Sequence, residues 1–88
     1  MTAEALSNLL AELSDEGPVV LEGFDSCVIG TAERFGLGGR VLAYDYEACV
    51  ELLMVRDGMD RDGAIEYLDF IVLGAWFGEG TPVFVTLS

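Results

Sequence analysis

Two sets of carboxylates recur at helical spacing in the second half of the chain. Glu47 and Glu51 are four residues apart, and Asp62, Glu66 and Asp69 follow one another at i, i+4 and i+7. A pair of carboxyl groups can act as general acid and base when burial raises the pKa of one of them. Both sets fall on the polar side of their predicted helices. We therefore expect these carboxylates to be solvated and predict no catalysis by them.

Carboxylates one helical turn apart have a second use, because they present a row of negative charge. Their Cβ atoms are about 5–6 Å apart, and such a row resembles a phosphate backbone. A basic nucleic-acid channel of another protein would attract it. The alternative is a solvated face whose charge serves solubility only, or reflects a high-salt origin. The candidate partner-binding residues are Asp45, Glu47, Glu51, Asp62, Glu66 and Asp69.

The overall charge limits the classes of function. The chain has sixteen acidic residues and four arginines, it has no lysine or histidine, and its net charge is −12. DNA, RNA and anionic lipid repel such a chain, so we expect neither direct nucleic-acid binding nor a membrane partner. The usual neutral-pH base and the commonest metal ligand are both missing. We predict a non-enzymatic protein without cofactor or metal that recognises another protein, one with a basic nucleic-acid-binding surface.

A divalent-cation site around Asp57, Asp60 and Asp62 stays open as a further alternative. The run from Asp60 to Gly63 resembles part of an EF-hand calcium loop. That loop needs an oxygen ligand in its first position and a bidentate glutamate in its last. Here those positions hold Gly58 and Asp69, so we favour a helix cap at Asp60.

Length and composition predict one domain over residues 1–88. The first residues lack the pattern of a signal peptide. The longest apolar stretch, 70–77, is too short to cross a bilayer. We therefore expect a cytoplasmic location, where Cys27 and Cys49 stay reduced and pack as small buried apolar residues.

Hydrophobic spacing and turn residues predict the element order α-β-α-β-α-α-β. The predicted elements are a helix capped by Thr2 and ended by Gly17-Pro18, a strand at 18–22, a helix from 25 or 26 to 35, a strand at 40–44, a helix capped by Asp45 and closed at Gly58, a helix at 61–77 capped by Asp60, and a strand at 81–87. This order indicates a small α+β domain in which helices cover one face of a three-stranded sheet.

A combined motif covers roughly residues 18–85. It consists of EGFD at 22–25, AERF at 32–35, YDY at 44–46, CVELLM at 49–54, RDGM at 56–59, AIEY at 64–67 and GAWFGEGTPVF at 74–84. The motif resembles a family of small acidic proteins encoded by tailed bacteriophages and prophages. Ile71 departs from the pattern, which has asparagine there, and Gly63 replaces an acidic residue.

The resemblance implies a setting rather than an activity. Phages encode many small acidic proteins that block host nucleases, anti-CRISPR proteins among them. By analogy, we expect an inhibitor of a host nucleic-acid-handling or defence enzyme, such as a Cas effector, acting through an acidic surface. The alternative is a structural or accessory homodimeric phage protein without inhibitory activity. That protein would bind through the aromatic residues Tyr67, Trp76 and Phe77.

Overall fold

The computed structural model describes residues 1–33, 39–74 and 81–87. The elements are α1 (Ala3–Glu12), a 3-10 turn (Asp25–Cys27), β1 (Val28–Glu33), β2 (Arg40–Asp45), α2 (Tyr46–Asp57), α3 (Arg61–Gly74) and β3 (Val83–Val85). The sheet order is β1-β2-β3, with β1 antiparallel and β3 parallel to β2. The predicted α+β class with a three-stranded sheet is confirmed. The predicted element order α-β-α-β-α-α-β is wrong, because the order of helices and strands is α-β-β-α-α-β.

The predicted strand at 18–22 is wrong. This segment carries no regular secondary structure. Its backbone is tied to the core by a side chain instead, because the Leu21 N–H donates to the hydroxyl of Tyr44 at 2.9 Å. The segment is apolar because Leu21 packs against the core, and not because it joins the sheet.

The predicted helix from residue 25 or 26 to 35 is also wrong. A single 3-10 turn leads directly into β1. The β-branched residues Val28, Ile29 and Thr31 favour extended backbone, and Gly30 disfavours a helix. The burial of its residues alternates along the strand, but the apolar Ile29 lies on the exposed side and Gly30 on the more buried side. The sequence therefore lacks the apolar–polar alternation that a periodicity analysis detects. Residues 34 and 35 of this prediction lie outside the described residues.

The predicted ends of the other helices are largely confirmed. The Thr2 hydroxyl accepts from the Ala5 N–H at 3.1 Å, and the Asp45 carboxylate accepts from the Ala48 N–H at 3.3 Å. Gly58 ends α2 in the left-handed conformation, with φ 69°, which glycine adopts at little cost. The first helix stops at Glu12 and continues as turns over 13–16, earlier than predicted. The predicted end of α3 at 77 lies outside the described residues.

All three of these helices contribute to one apolar core. Its buried members are Leu6, Leu13, Phe24, Cys27, Val28, Leu42, Tyr44, Cys49, Val50, Leu53, Ala64 and Leu68. The strand β2 runs through the middle of the fold, and its residues 41–44 are all buried. Leu42 and Tyr44 face the core, whereas the alternation of a strand places Val41 and Ala43 on the opposite face of the sheet.

Among the described residues, Tyr44 is the largest fully buried side chain. Its ring stacks against Phe84 of β3, with ring centroids 5.7 Å apart. Its hydroxyl accepts the Leu21 N–H described above. Burial raises the pKa of Tyr44, which keeps the phenol neutral at physiological pH. One side chain thus joins β2, β3 and the segment before the 3-10 turn.

The substitution Tyr44→Phe should lower the free energy of unfolding by about 1–3 kcal/mol, because it leaves the Leu21 N–H without its acceptor. Urea denaturation measures this loss. Tyr67→Phe is the matched control, since Tyr67 is 45% exposed, and it should change stability by less than about 0.5 kcal/mol. Equal losses in the two variants would contradict the role of the hydroxyl.

The two cysteines are free and buried, as expected. Burial, with Cys27 alongside, raises the pKa of the Cys49 thiol. A thiolate is the reactive form of cysteine, so Cys49 is a packing residue in this fold rather than a nucleophile.

The raised pKa of Cys49 predicts a loss of stability in alkali. The folded state holds the thiol proton more tightly, so this contribution is complete below the unfolded pKa of about 8.5 and is lost as pH rises above it. The slope should approach about 1.4 kcal/mol per pH unit above pH 9. Urea denaturation between pH 7 and 9.5 measures it. Cys49→Ala should remove most of this slope, and an unchanged slope would contradict the assignment.

Candidate partner-binding surface

Every positive side chain in the described part of the chain has a carboxylate partner. Arg40 pairs with Glu16 at 3.2 Å. Arg56 pairs with Asp57 at 3.0 Å, and Arg61 pairs with Glu47 at 2.8 Å. No charged side chain among the described residues is buried, so these pairs lie at the surface.

The Arg40–Glu16 pair ties the turn after α1 to the first residue of β2. Glu16 accepts from the backbone N–H of Arg40 at 2.8 Å, from its Nε at 3.3 Å and from its Nη2 at 3.2 Å. These hydrogen bonds lower the pKa of the Glu16 carboxyl. The contact is structural, because it occupies both oxygens of the carboxylate.

Arg56 binds an aromatic ring and a carboxylate together. Its guanidinium carbon lies 5.4 Å from the ring centroid of Phe24. Its Nε and Nη2 donate to Asp57 at 3.0 and 3.1 Å, and its Nη1 donates to the carbonyl of Gly23 at 2.7 Å. Gly23 has φ 87°, and a Cβ there would lie 3.0 Å from Nη1. The glycine thus allows the guanidinium its close approach.

Three of the six candidate residues have internal contacts. Asp45 caps α2, and Glu47 accepts from Arg61, which lowers the pKa of Glu47. Asp69 accepts from the Tyr46 hydroxyl at 3.3 Å. The Asp45 contact is local to the start of α2, whereas the Glu47 and Asp69 contacts link α2 to α3. The structure thus gives all three residues a role within the fold. Their part in partner binding stays a prediction.

The other three candidates are exposed and belong to two similar rows on α2 and α3. Glu51 continues a row that runs from Glu47 to Val55, and Asp62 and Glu66 continue to Phe70 in the same four-residue steps. Along the chain, each row consists of two acidic residues followed by an apolar one. Arg61 adds a positive charge to the α2 row at its Glu47 end. The α3 row carries no arginine contact among the described residues.

Phe70 is 76% exposed and Tyr67, one turn before it, is 45% exposed. Their residue type alone predicts that aromatic side chains pack in a core. The structure shows instead that Phe70 is exposed. The signal for it is present in the spacing, because Phe70 follows Glu66 by four residues on the polar side of α3. Trp76 and Phe77, the other proposed interface aromatics, lie outside the described residues.

The calcium alternative finds no support in the geometry. The Asp57 carboxylate is bound by Arg56, and Asp60 accepts from the Gly63 N–H at 2.7 Å as a helix cap. Within residues 1–33, 39–74 and 81–87, no three acidic or cysteine side chains are grouped to hold a metal ion. The same part of the chain encloses no pocket for a small molecule. It also contains no helix with the length and apolar composition needed to span a bilayer.

Comparisons with known proteins identify no protein that is similar to this chain. No family model, no curated protein and no solved structure matches this chain. The resemblance to small acidic phage proteins therefore stays a prediction, and the function is argued from the charges and contacts of the chain itself.

The lowered pKa of Glu16 predicts a contribution to stability that depends on acid pH. A depressed carboxyl pKa stabilises the fold above the ordinary glutamate value of about 4.3, and this is lost as pH falls through the folded pKa. Arg40→Gln should therefore lower the urea midpoint at pH 7 and have less effect at pH 3. A constant Arg40→Gln effect at both pH values would contradict the linkage.

Proposed function

We propose that this protein binds a basic, nucleic-acid-binding surface of another protein and competes there with nucleic acid. The distribution of charge carries the proposal. Fifteen of the sixteen acidic residues are described, and three of them pair with arginine. The other 15 − 3 = 12 have no arginine partner in the described residues. All three described arginines are used within the fold, so the field outside the molecule is negative and attracts basic surfaces.

The exposed carboxylates of α2 and α3 are the proposed contacts. Glu51, Asp62 and Glu66 have no ion-pair partner among the described residues, and they would pair with lysine or arginine of the partner protein. Asp45, Glu47 and Asp69 add to the negative potential of these two helices, while Asp45 caps α2 and the other two residues link α2 to α3. Opposite charges on the two partners mainly raise the rate of association, and this rate falls as the salt concentration rises.

The phage resemblance supplies a biological setting for this activity. In that setting the partner is a host enzyme that handles nucleic acid, such as a nuclease, a polymerase or a Cas effector. Occupying its basic channel would inhibit it without any chemistry by this chain. The protein would then act in the cytoplasm of the host cell, as an inhibitor rather than as an enzyme.

The proposal is tested with a variant that carries Glu51→Gln, Asp62→Asn and Glu66→Gln. The matched control carries Glu4→Gln, Asp15→Asn and Glu22→Gln, which are also exposed and lie elsewhere on the chain. Both changes bring the net charge from −12 to −12 + 3 = −9. Tagged wild type and variants are used to capture bacterial lysate proteins at low and moderate salt, and captured enzymes are assayed for binding to their nucleic acid.

We expect the wild type and the control to retain a nucleic-acid-binding protein that the site variant loses, and we expect DNA or RNA to displace it. Moderate salt should slow the capture. If the same partner stays bound to the site variant, the proposed surface is wrong. If every capture is insensitive to salt and to added nucleic acid, competition for a basic channel is refuted.

A further inference from the structure

The outer face of α3 combines two exposed aromatic rings with carboxylates. Phe70 is 76% exposed and Tyr67 is 45% exposed. Glu66 lies one turn before Phe70, and Asp62 one turn before that, both exposed. Single exposed apolar residues are ordinary on protein surfaces. Two rings one turn apart beside a row of carboxylates form a more specific surface, which combines an apolar platform with negative charge.

Elsewhere in the fold, an aromatic ring and a carboxylate together bind an arginine side chain. Arg56 lies over the Phe24 ring at 5.4 Å while its Nε and Nη2 bind the Asp57 carboxylate. A guanidinium is planar and weakly hydrated, so one side chain can stack on a ring and bind a carboxylate at the same time. A lysine ammonium is a compact, strongly hydrated charge and uses a ring less well.

We propose that the outer face of α3 binds an arginine side chain of the partner protein, which stacks on Phe70 and pairs with Glu66. Tyr67 borders the same site, and Asp62 extends it toward the next basic residue of the partner. This inference rests on the proposed function and specifies the partner's surface, which must present arginine rather than lysine at this contact.

A second copy of the chain fits this face less well. Each copy carries a charge of −12, and two copies that meet at this face would bring the Asp62 and Glu66 carboxylates of both into one interface. Like charges directly opposed are destabilising. Arg40, Arg56 and Arg61 are bound within the fold, so the described part of a second copy offers no free guanidinium.

The test uses two repeat peptides of equal length and charge, one of arginine and glycine and one of lysine and glycine. Isothermal titration calorimetry at low salt measures their affinities for the whole chain. Wild type should bind the arginine peptide about two- to fivefold more tightly, the range expected for an exposed cation–π contact. Phe70→Ala should abolish this preference and leave the affinity for the lysine peptide unchanged.

Val55→Ala is the matched control. Val55 is exposed and follows Glu51 by four residues, as Phe70 follows Glu66, but it has no ring. This variant should keep the arginine preference. Urea denaturation of both variants checks that each is folded, which we expect because both side chains face solvent.

The outcomes separate this inference from the proposed function. If wild type binds both peptides equally, or Phe70→Ala keeps the preference, the arginine site is refuted while salt-sensitive binding of basic partners stands. If wild type binds neither peptide at low salt, both fail. Concentration-dependent self-association in sedimentation that Phe70→Ala abolishes would assign this face to a second copy and overturn the arginine site.

Discussion

The fold depends on the burial of Tyr44 in the middle of the sheet. Its ring fills the core between the helices and stacks against Phe84, and its hydroxyl satisfies the backbone of Leu21. The next residue, Asp45, caps α2, so the position of this strand also sets where α2 begins. A short chain buries a limited core, and here one central strand, buried on both faces, supplies much of it.

Charge is arranged around that core in two ways. Some carboxylates hold the chain together, as Glu16 does for the start of β2 and Glu47 does between α2 and α3. Others, such as Glu66, have no partner in the described residues and face solvent. The three described arginines all pair with carboxylates within the fold. As a result, α3 presents the exposed ring of Phe70 next to carboxylates that have no arginine contact in the described residues. Composition alone does not predict this arrangement.

Local signals predict α2, α3 and β2 well because caps and turns act over a few residues. Asp45, Gly58 and Asp60 do what their types and spacing indicate. Prediction from sequence fails where an element depends on a contact that is distant along the chain, or where its hydrophobic pattern is irregular. The role of the segment before the 3-10 turn depends on Tyr44, 44 − 21 = 23 residues away from Leu21. In β1 the exposed Ile29 and the more buried Gly30 mask a strand whose burial alternates. In the candidate site, exposure of the carboxylates follows from spacing, whereas the pairing of Glu47 with Arg61 depends on how the helices cross.

The parallel pairing of β2 with β3 has a consequence for how the chain opens and closes. Tyr44 pairs with Phe84, a separation of 84 − 44 = 40 residues, whereas β1 and β2 are near neighbours in sequence. Closing a longer loop costs more entropy before its contacts form. The three-residue strand β3 is therefore expected to dock last and detach first. Its local opening would uncover the edge of β2 to hydrogen exchange while the antiparallel pair and the helices stay formed.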